Sequence, residues 1–257
     1  MLKISIITVV RNGAATLCDC IESVQQQSYP SENREHIIVD GASGDGTLQL
    51  IEKHRGSFSR VISEPDNGIY DAMNKGIALA SGDVIGILNA DDVYAHQNVL
   101  AAVAAVFDDG RTDSCYGDLN YVDRLQPSKI TRRWRSGRYA KSRFYQGWMP
   151  PHPTFFLRKR IYDKYGVFNL DLGTAADYEL MLRLLLRHDI TADYIPEVLV
   201  HMRSGGMSNM SLKNRIAANR MDRRAWKENG LTPRPWTLWM KPLRKIGQFI
   251  CIPVSPE

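Results

Sequence analysis

The segment VIGILNADDVYAHQN sets Asn89, Asp91 and Asp92 directly after an apolar run, Val84 to Leu88, interrupted only by Gly86. A run of this kind reads as a strand buried on both faces, and in open α/β sheets ligands collect beyond the carboxyl ends of such strands. Mg2+ and Mn2+ favour carboxylate oxygen and bridge to phosphates, so the Asn89-Ala90-Asp91-Asp92 cluster is a candidate cation site. Helix capping is the other reading, since aspartates also favour helix starts and a helix is predicted over 98–107. A second candidate follows the strand that ends at Asp40. There GASGDGT offers Gly41, Gly44 and Gly46 for tight turns and close backbone approach to a ligand, or an ordinary turn with a helix cap.

Both candidates belong to a regular alternation. KISIITVV (3–10) is a β-branched run, and AATLCDCIESVQQQS behind it carries Leu17, Ile21 and Val24 on one helical face. The same unit recurs as EHIIVD before GTLQLIEKH, RVISE before IYDAMNKGIALA, and DVIGILN before NVLAAVAAVFDD. Strand-helix units in this succession predict an α/β fold with a mostly parallel, Rossmann-like sheet flanked by helices. The two candidate sites then converge at one edge of the sheet, as a nucleotide-diphosphate site requires. After Gly110 the rhythm changes to short strands, SCYGDLNYV and KITRRW, then a polar, aromatic-rich loop from Arg135 to Pro150. Helix and strand signals return in RKRIYDKYG, AADYELMLRLLLRH and ADYIPEVLVHM. Ser211 to Glu228 reads as helix, and from Thr232 prolines and tryptophans break the pattern.

Several classes fall away. VVRNGAAT has a single glycine where a dinucleotide fingerprint needs a glycine cluster, and no Walker A sequence is present. Cys18, Cys20, Cys115 and Cys251 lack paired metal-ligand spacing and read as reduced thiols of a cytosolic protein. No apolar run approaches the ~20 residues of a membrane-spanning helix, and MLKISIITVV lacks the features of a signal peptide.

The formal charge of +5 conceals an asymmetry: residues 1–123 hold 8 Lys/Arg against 18 Asp/Glu, and residues 124–257 hold 25 against 10. A cation site in the acidic half and an anionic partner for the basic half are expected. Residues 124–164 alone carry 12 Lys/Arg and one acid, with Trp134, Tyr139, Phe144, Tyr145 and Trp148 among them. Further on, Trp236, Trp239 and Phe249 mix with Arg234, Lys241, Arg244 and Lys245. No nucleic-acid recognition motif accompanies these residues, so no nucleic acid partner is expected. Tryptophans with basic neighbours suit an anionic membrane surface, and Pro235, Pro242 and Pro253 prevent one long amphipathic helix. Peripheral attachment is the expectation.

Together SIITVVRNG, IIVDGASGDGT, SEPDNGIYDAMNKGIALASGD and ILNADD resemble bacterial family 2 glycosyltransferases of the GT-A fold, particularly the subgroup that assembles exopolysaccharides such as colanic acid. PDNGIYDAMNKG is specific to that subgroup, and the resemblance covers residues 3 to about 210. It implies a GT-A domain over 1–210, divided into a nucleotide-sugar-binding half (1–110) and a smaller mixed acceptor-side half (111–210) with the catalytic base. A helical, basic and aromatic tail (211–257) follows. It also implies a nucleoside diphosphate sugar donor, usually a UDP-sugar, used with Mg2+ or Mn2+. The donor-binding positions would be Val9, Asp40, Ser43, Asp45, Asn67, Asn89, Ala90, Asp91 and Arg203, with Asp91 and Asp92 on the metal. NAD stands where the family has Asp-x-Asp, so Asn89 replaces the commoner aspartate and removes one charge.

Sugar transfer with inversion needs a base for the acceptor hydroxyl proton while the departing diphosphate is stabilised. The resemblance assigns the base to Asp177, opening the helix in GTAADYELMLRLL. Thr174 with Asp177 three residues later also reads as a capping box. On the acceptor side GWMPPHPTFFLRKR points to Trp148 and His152, the latter equally a structural loop histidine. VHMRSGGMS resembles a loop over the donor phosphates, with Arg203 toward the diphosphate, His201 near it and Gly205-Gly206 as hinge. The expected activity is inverting transfer of one sugar to a hydroxyl of a lipid-linked saccharide, in bacterial cell-surface polysaccharide synthesis at the cytoplasmic face of the inner membrane. A sugar nucleotidyltransferase and a non-catalytic nucleotide-sugar or carbohydrate-binding module are the rivals.

Overall fold

A computed structural model of the chain describes residues 1–205 and 212–249; Gly206, Cys251 and Pro253, considered above, lie outside them. Strands β1 (Ile4–Val10), β2 (Arg34–Asp40), β3 (Arg60–Ser63) and β4 (Val84–Ile87) run parallel in the order β3-β2-β1-β4. Parallel neighbours need crossovers, which helices α1 (Leu17–Gln25), α2 (Thr47–Lys53) and α3 (Ile69–Leu79) supply. A further helix, α4 (Val99–Phe107), follows the strand region. β1 is buried along its whole length because both its faces are covered, which is why it reads as an apolar run and not an alternation. Ile7 and Val9 pack with Met73 and Ile77 of α3, whereas Ile4 and Ile6 pack with Cys20, Val24 and Val103 of α1 and α4. The approach of α3 is close: a Cβ on Gly76 would lie 2.3 Å from Ile7.

The second half departs from a plain parallel sheet. Strands β5 (Asp92–Tyr94), β6 (Ser114–Val122), β7 (Ile130–Trp134), β8 (Phe156–Arg158) and β9 (Ala192–Arg203) extend the order to β3-β2-β1-β4-β8-β6-β9-β5, and β7 pairs with β6. β8 is antiparallel to both β4 and β6, and Gly86 of β4 makes room for its Phe156 ring. The helix-capping alternative for Asp91 and Asp92 does not form: DDVY holds strand β5, which pairs antiparallel with β9 and sets Asp92 opposite Met202. Three residues are too few for any periodicity, so the strand exists only through its partner. AADYELMLRLLLRH is not one α-helix. After the short helices α5 (Lys141–Phe144) and α6 (Lys159–Tyr165), α7 (Ala176–Met181) passes into a π-helical turn, Leu182–Arg187, whose wider winding buries Leu182, Leu184 and Leu185 together.

Helices α8 (Leu212–Glu228) and α9 (Thr237–Leu243) lie beyond the boundary expected at residue 210 yet pack on the second half of the chain. Trp226 is fully buried there, and the Thr237 hydroxyl donates to the Tyr145 carbonyl at 2.7 Å. Gly147 has φ +77, and a Cβ on it would meet the Lys241 backbone at 2.4 Å, so only glycine lets α9 settle on this loop.

Candidate active site

The ends of β1 and β2 form the cradle expected to take the donor. Gly41 N–H donates to the Val10 carbonyl at 2.8 Å, and the loops that follow are laced together. Asn12 N–H donates to Ser43 Oγ at 2.7 Å, Gly44 N–H to Asn12 Oδ1 at 2.9 Å, and Ala14 N–H to Asp45 at 3.1 Å. The Thr47 hydroxyl also donates to Asp45, and this bond is the main cause that holds the Asp45 carboxyl below the ordinary carboxylate range. Ser43 and Asp45 therefore shape the cradle. Asp40 is buried beneath it, with Oδ2 accepting from Ser43 N–H at 3.1 Å and Ser63 Oγ at 2.7 Å, while Oδ1 is without a partner. The Val9 carbonyl accepts from Ala90 N–H at 3.3 Å, which ties the cradle to the turn after β4. Asn67 is exposed, its backbone N–H donating to Asp71 at 2.9 Å.

That turn carries the candidate cation site. Asp92 N–H donates to the Asn89 carbonyl at 2.9 Å, and Asn89 Nδ2 donates to Asp92 Oδ2 at 3.1 Å. Asp92 is fully buried, and burial followed by the neighbouring Asp91 charge pushes its pKa well above the carboxylate range. Asp91 is only half-buried. Asn89 Oδ1 and Asp92 Oδ1 are enclosed with no hydrogen-bond partner. Two orphaned hard oxygens beside a half-exposed carboxylate fit a divalent cation, whose charge would let the buried Asp92 ionise. Among the described residues no cluster of three or more His, Cys, Asp or Glu assembles, so such a cation would complete its shell with phosphate oxygens and water.

Arg203 is placed behind this turn. Its guanidinium donates to the Asp91 carbonyl at 3.1 Å and pairs with Asp19 of α1. Side chains alternate across a strand, so Arg203 and His201 point away from the face that Met202 shares with Asp92. Arg203, expected at the diphosphate, clamps the turn that carries Asp91, and burial lowers the pKa of His201.

Asp177 lies in the first turn of α7, after a 3-10 segment, Leu170–Ala175. The N-cap of α7 is Ala175, and Thr174 lies inside the 3-10 segment before it, so the capping box read from Thr174 is not made. Asp177 Oδ1 accepts from Tyr178 N–H at 2.7 Å. The helix start is braced by Glu179, which pairs with Arg183 at 3.0 Å and accepts from Asn229 Nδ2 at 3.1 Å. Burial lowers the pKa of His152, and the Asp177 charge opposes that shift, so these two predicted residues do come together. Burial, then the Asp177 charge, raises the pKa of Tyr70. Tyr121 of β6 joins the two sites: after burial, the charges acting on its hydroxyl include both Asp92 and Asp177.

The sequence profile of Glycosyl transferase family 2 matches residues 5–166. This chain belongs to glycosyltransferase family 2. It is 34% identical to an uncharacterized glycosyltransferase of Mycobacterium tuberculosis over 191 residues, 71% of this chain and 69% of that relative. Its fold is similar to the crystal structure of S. aureus TarS 1-349 in complex with UDP-GlcNAc, with a TM-score of 0.67 at 18% identity. That match covers 88% of this chain and 66% of TarS 1-349, just short of two thirds. It is similar too to the mannosyltransferase PcManGT from Pyrobaculum calidifontis in complex with GDP-Man and Mn2+, with a TM-score of 0.64 at 16% identity, over 94% of this chain and 72% of that one. The glycosyltransferase thus has the GT-A fold, a curled mixed sheet flanked by helices.

On its acceptor side the glycosyltransferase buries Trp148, whose indole N–H donates to the Ser136 carbonyl at 2.9 Å and whose ring is packed by Tyr116, Tyr139 and Phe144. Trp148 builds the wall and His152 stands nearer the base candidate. Sequence reasoning missed Asp66, Tyr70, Tyr121 and Arg132. Asp66 covers the donor cradle, since a Cβ on Gly41 would lie 2.1 Å from its Oδ2. Asp66 and Tyr70 both fall within PDNGIYDAMNKG, so a signal for them existed. Tyr121 and Arg132 had none, because strand register alone brings them to the site.

Proposed function

We propose that this family 2 glycosyltransferase moves one sugar, with inversion, from a nucleoside diphosphate sugar, a UDP-sugar foremost, to a hydroxyl of a lipid-linked saccharide in bacterial cell-surface polysaccharide synthesis. The observation that carries the reading is the position of Tyr121, set by the β6-β9-β5 register in one row with Asp92 of the candidate cation site and within electrostatic reach of Asp177. A donor held by the cradle and the Asn89–Asp92 turn would present its anomeric carbon toward Asp177. There Asp177 accepts the proton of the acceptor hydroxyl as its oxygen attacks, and the nucleoside diphosphate leaves from the opposite face of the sugar. Asp91, with Asp92 and Asn89 behind it, would hold Mg2+ or Mn2+, which would supply positive charge to the departing diphosphate. The Mn2+ and GDP-Man complex of PcManGT and the UDP-GlcNAc complex of TarS support this donor and cation chemistry by fold similarity.

We place the enzyme peripherally on the cytoplasmic face of the inner membrane. Trp236, Trp239, Leu243 and Phe249 are exposed beside Arg234 and Arg244, and among the described residues no helix is long and apolar enough to cross a membrane. The test is a screen of nucleotide sugars with a lipid-linked acceptor extract, with and without divalent cation. Cation-dependent release of a nucleoside diphosphate is expected. Release of pyrophosphate would instead support a nucleotidyltransferase, and binding without turnover a binding module.

A further inference from the structure

Strands β5, β9, β6 and β7 place Asp92, Met202, Tyr121 and Arg132 in one register row, and residues directly opposite in a sheet share a face. The row runs from the cation site to a cationic end. Arg132 lies with its guanidinium 4.3 Å above the Tyr121 ring, and Trp134 and Phe249 stand 5.6 and 5.3 Å away. Its Nε donates to Gln248 Oε1 at 2.7 Å, so the segment after α9 holds the arginine in place. Among the described residues Arg132 has no carboxylate partner, and neither has Lys245, although each lies in a region dense in charge. Lys245 is exposed, yet within electrostatic reach of Arg132, Lys241, Asp222 and Asp177. The other nearby cation is already used, because Lys241 is paired to Asp222 at 2.7 Å.

We propose that Arg132 and Lys245 form a phosphoryl-binding station beside Asp177, built on β7 and completed by the docked C-terminal segment, for a phosphate or diphosphate group of one of the two substrates. The inference rests on the glycosyltransferase reading above. A fixed guanidinium suits bidentate phosphate contact, and stacking on Tyr121 and Phe249 orients its plane in advance. The donor's diphosphate and a lipid-linked diphosphate of the acceptor share this chemistry.

The test titrates full-length protein with inorganic pyrophosphate by calorimetry, in the absence of divalent cation, with and without saturating UDP. Arg132→Gln and Lys245→Gln should each weaken pyrophosphate binding at least about fivefold, with the loss shrinking at high salt, and Arg132→Lys should retain most of it. Lys245 is exposed, so its variant keeps the fold and guards against a trivial loss at Arg132. Pyrophosphate that binds alongside UDP and still depends on both residues assigns the station to the acceptor. Pyrophosphate displaced by UDP, with UDP affinity itself lowered by Arg132→Gln, assigns it to the donor. Pyrophosphate binding that is absent, or equal in the wild type and both glutamine variants, overturns the station. Nucleotide-sugar turnover, measured separately on the wild type, decides the glycosyltransferase reading, so the two fail independently.

Discussion

The Trp226 indole donates to the Tyr178 hydroxyl at 2.9 Å and so joins α8 to the residue directly after Asp177. Lys241 of α9 adds to the brace, its ammonium 3.5 Å above the Tyr178 ring. The basic C-terminal region up to residue 249 is thereby a wall of the base site as well as a surface.

Removing that wall should separate stability and transfer from donor binding. Trp226→Ala leaves a large cavity and should cost about 3–5 kcal/mol. A chain ended after Asn229 exposes Tyr145 and Gly147 and should melt several degrees lower while retaining nucleotide binding at the distant cradle. Thermal unfolding followed by nucleotide titration checks both, and an unchanged Tm in the shortened chain would show that α9 contributes nothing to the fold.

At the cation site, Asp91→Ala should abolish cation-dependent turnover and weaken donor affinity while the Tm stays near that of the wild type. Asp91 is half-buried and outside the core, so its loss removes a ligand and little packing. Full turnover of this variant at saturating donor would remove Asp91 from the cation account.

The base assignment predicts a different pattern. Asp177→Asn keeps the shape and the acceptance of the Tyr178 N–H but cannot take a proton, so kcat should fall by roughly 10²–10⁴ with donor affinity preserved. Transfer that survives while only stability drops would make Asp177 a structural residue.

Acid stability should report His36. It is buried between the strands, accepts or donates at 3.0 Å to the Thr8 hydroxyl, and burial followed by the Arg34 charge pulls its pKa from 6.5 to about 3. Below pH 6.5 the unfolded chain takes up a proton that the folded chain refuses. The stability due to neutral His36 is therefore complete above that pH and is lost as pH falls toward about 3. A plot of Tm against pH should slope upward through this window, and His36→Gln should flatten it even if its Tm at pH 8 is lower.

For the membrane, full-length protein should float with anionic vesicles and be released by high salt, each basic residue near the surface contributing about 1 kcal/mol. Replacing Trp236 and Trp239 with serine should reduce flotation without lowering Tm, because both indoles are exposed, Trp239 at 69%. Equal binding to neutral vesicles would discard the charges from the account.

The amino-acid order alone determined the parallel half of the sheet. β1 to β4 and their helices are legible because buried parallel strands are continuous apolar runs and their crossovers are amphipathic, both local patterns. PDNGIYDAMNKG and NADD are likewise readable as candidates because each is one contiguous segment, the first a turn leading into α3 and the second the turn after β4 that runs into β5. Tertiary structure decided what depends on pairing. β5 is three residues long and β8 runs against its neighbours, so neither has a period of its own to read. Arg203 was assigned from the resemblance of VHMRSGGMS, and the parity of β9 turns it toward Asp19 while Met202, Tyr121 and Arg132 share the opposite face. The C-terminal region was read as a tail because its prolines break periodicity, and only the glycine at 147 and the cleft around Tyr178 show where it docks. Local pattern records which element a residue belongs to; register and packing across distant segments decide which residues share a site.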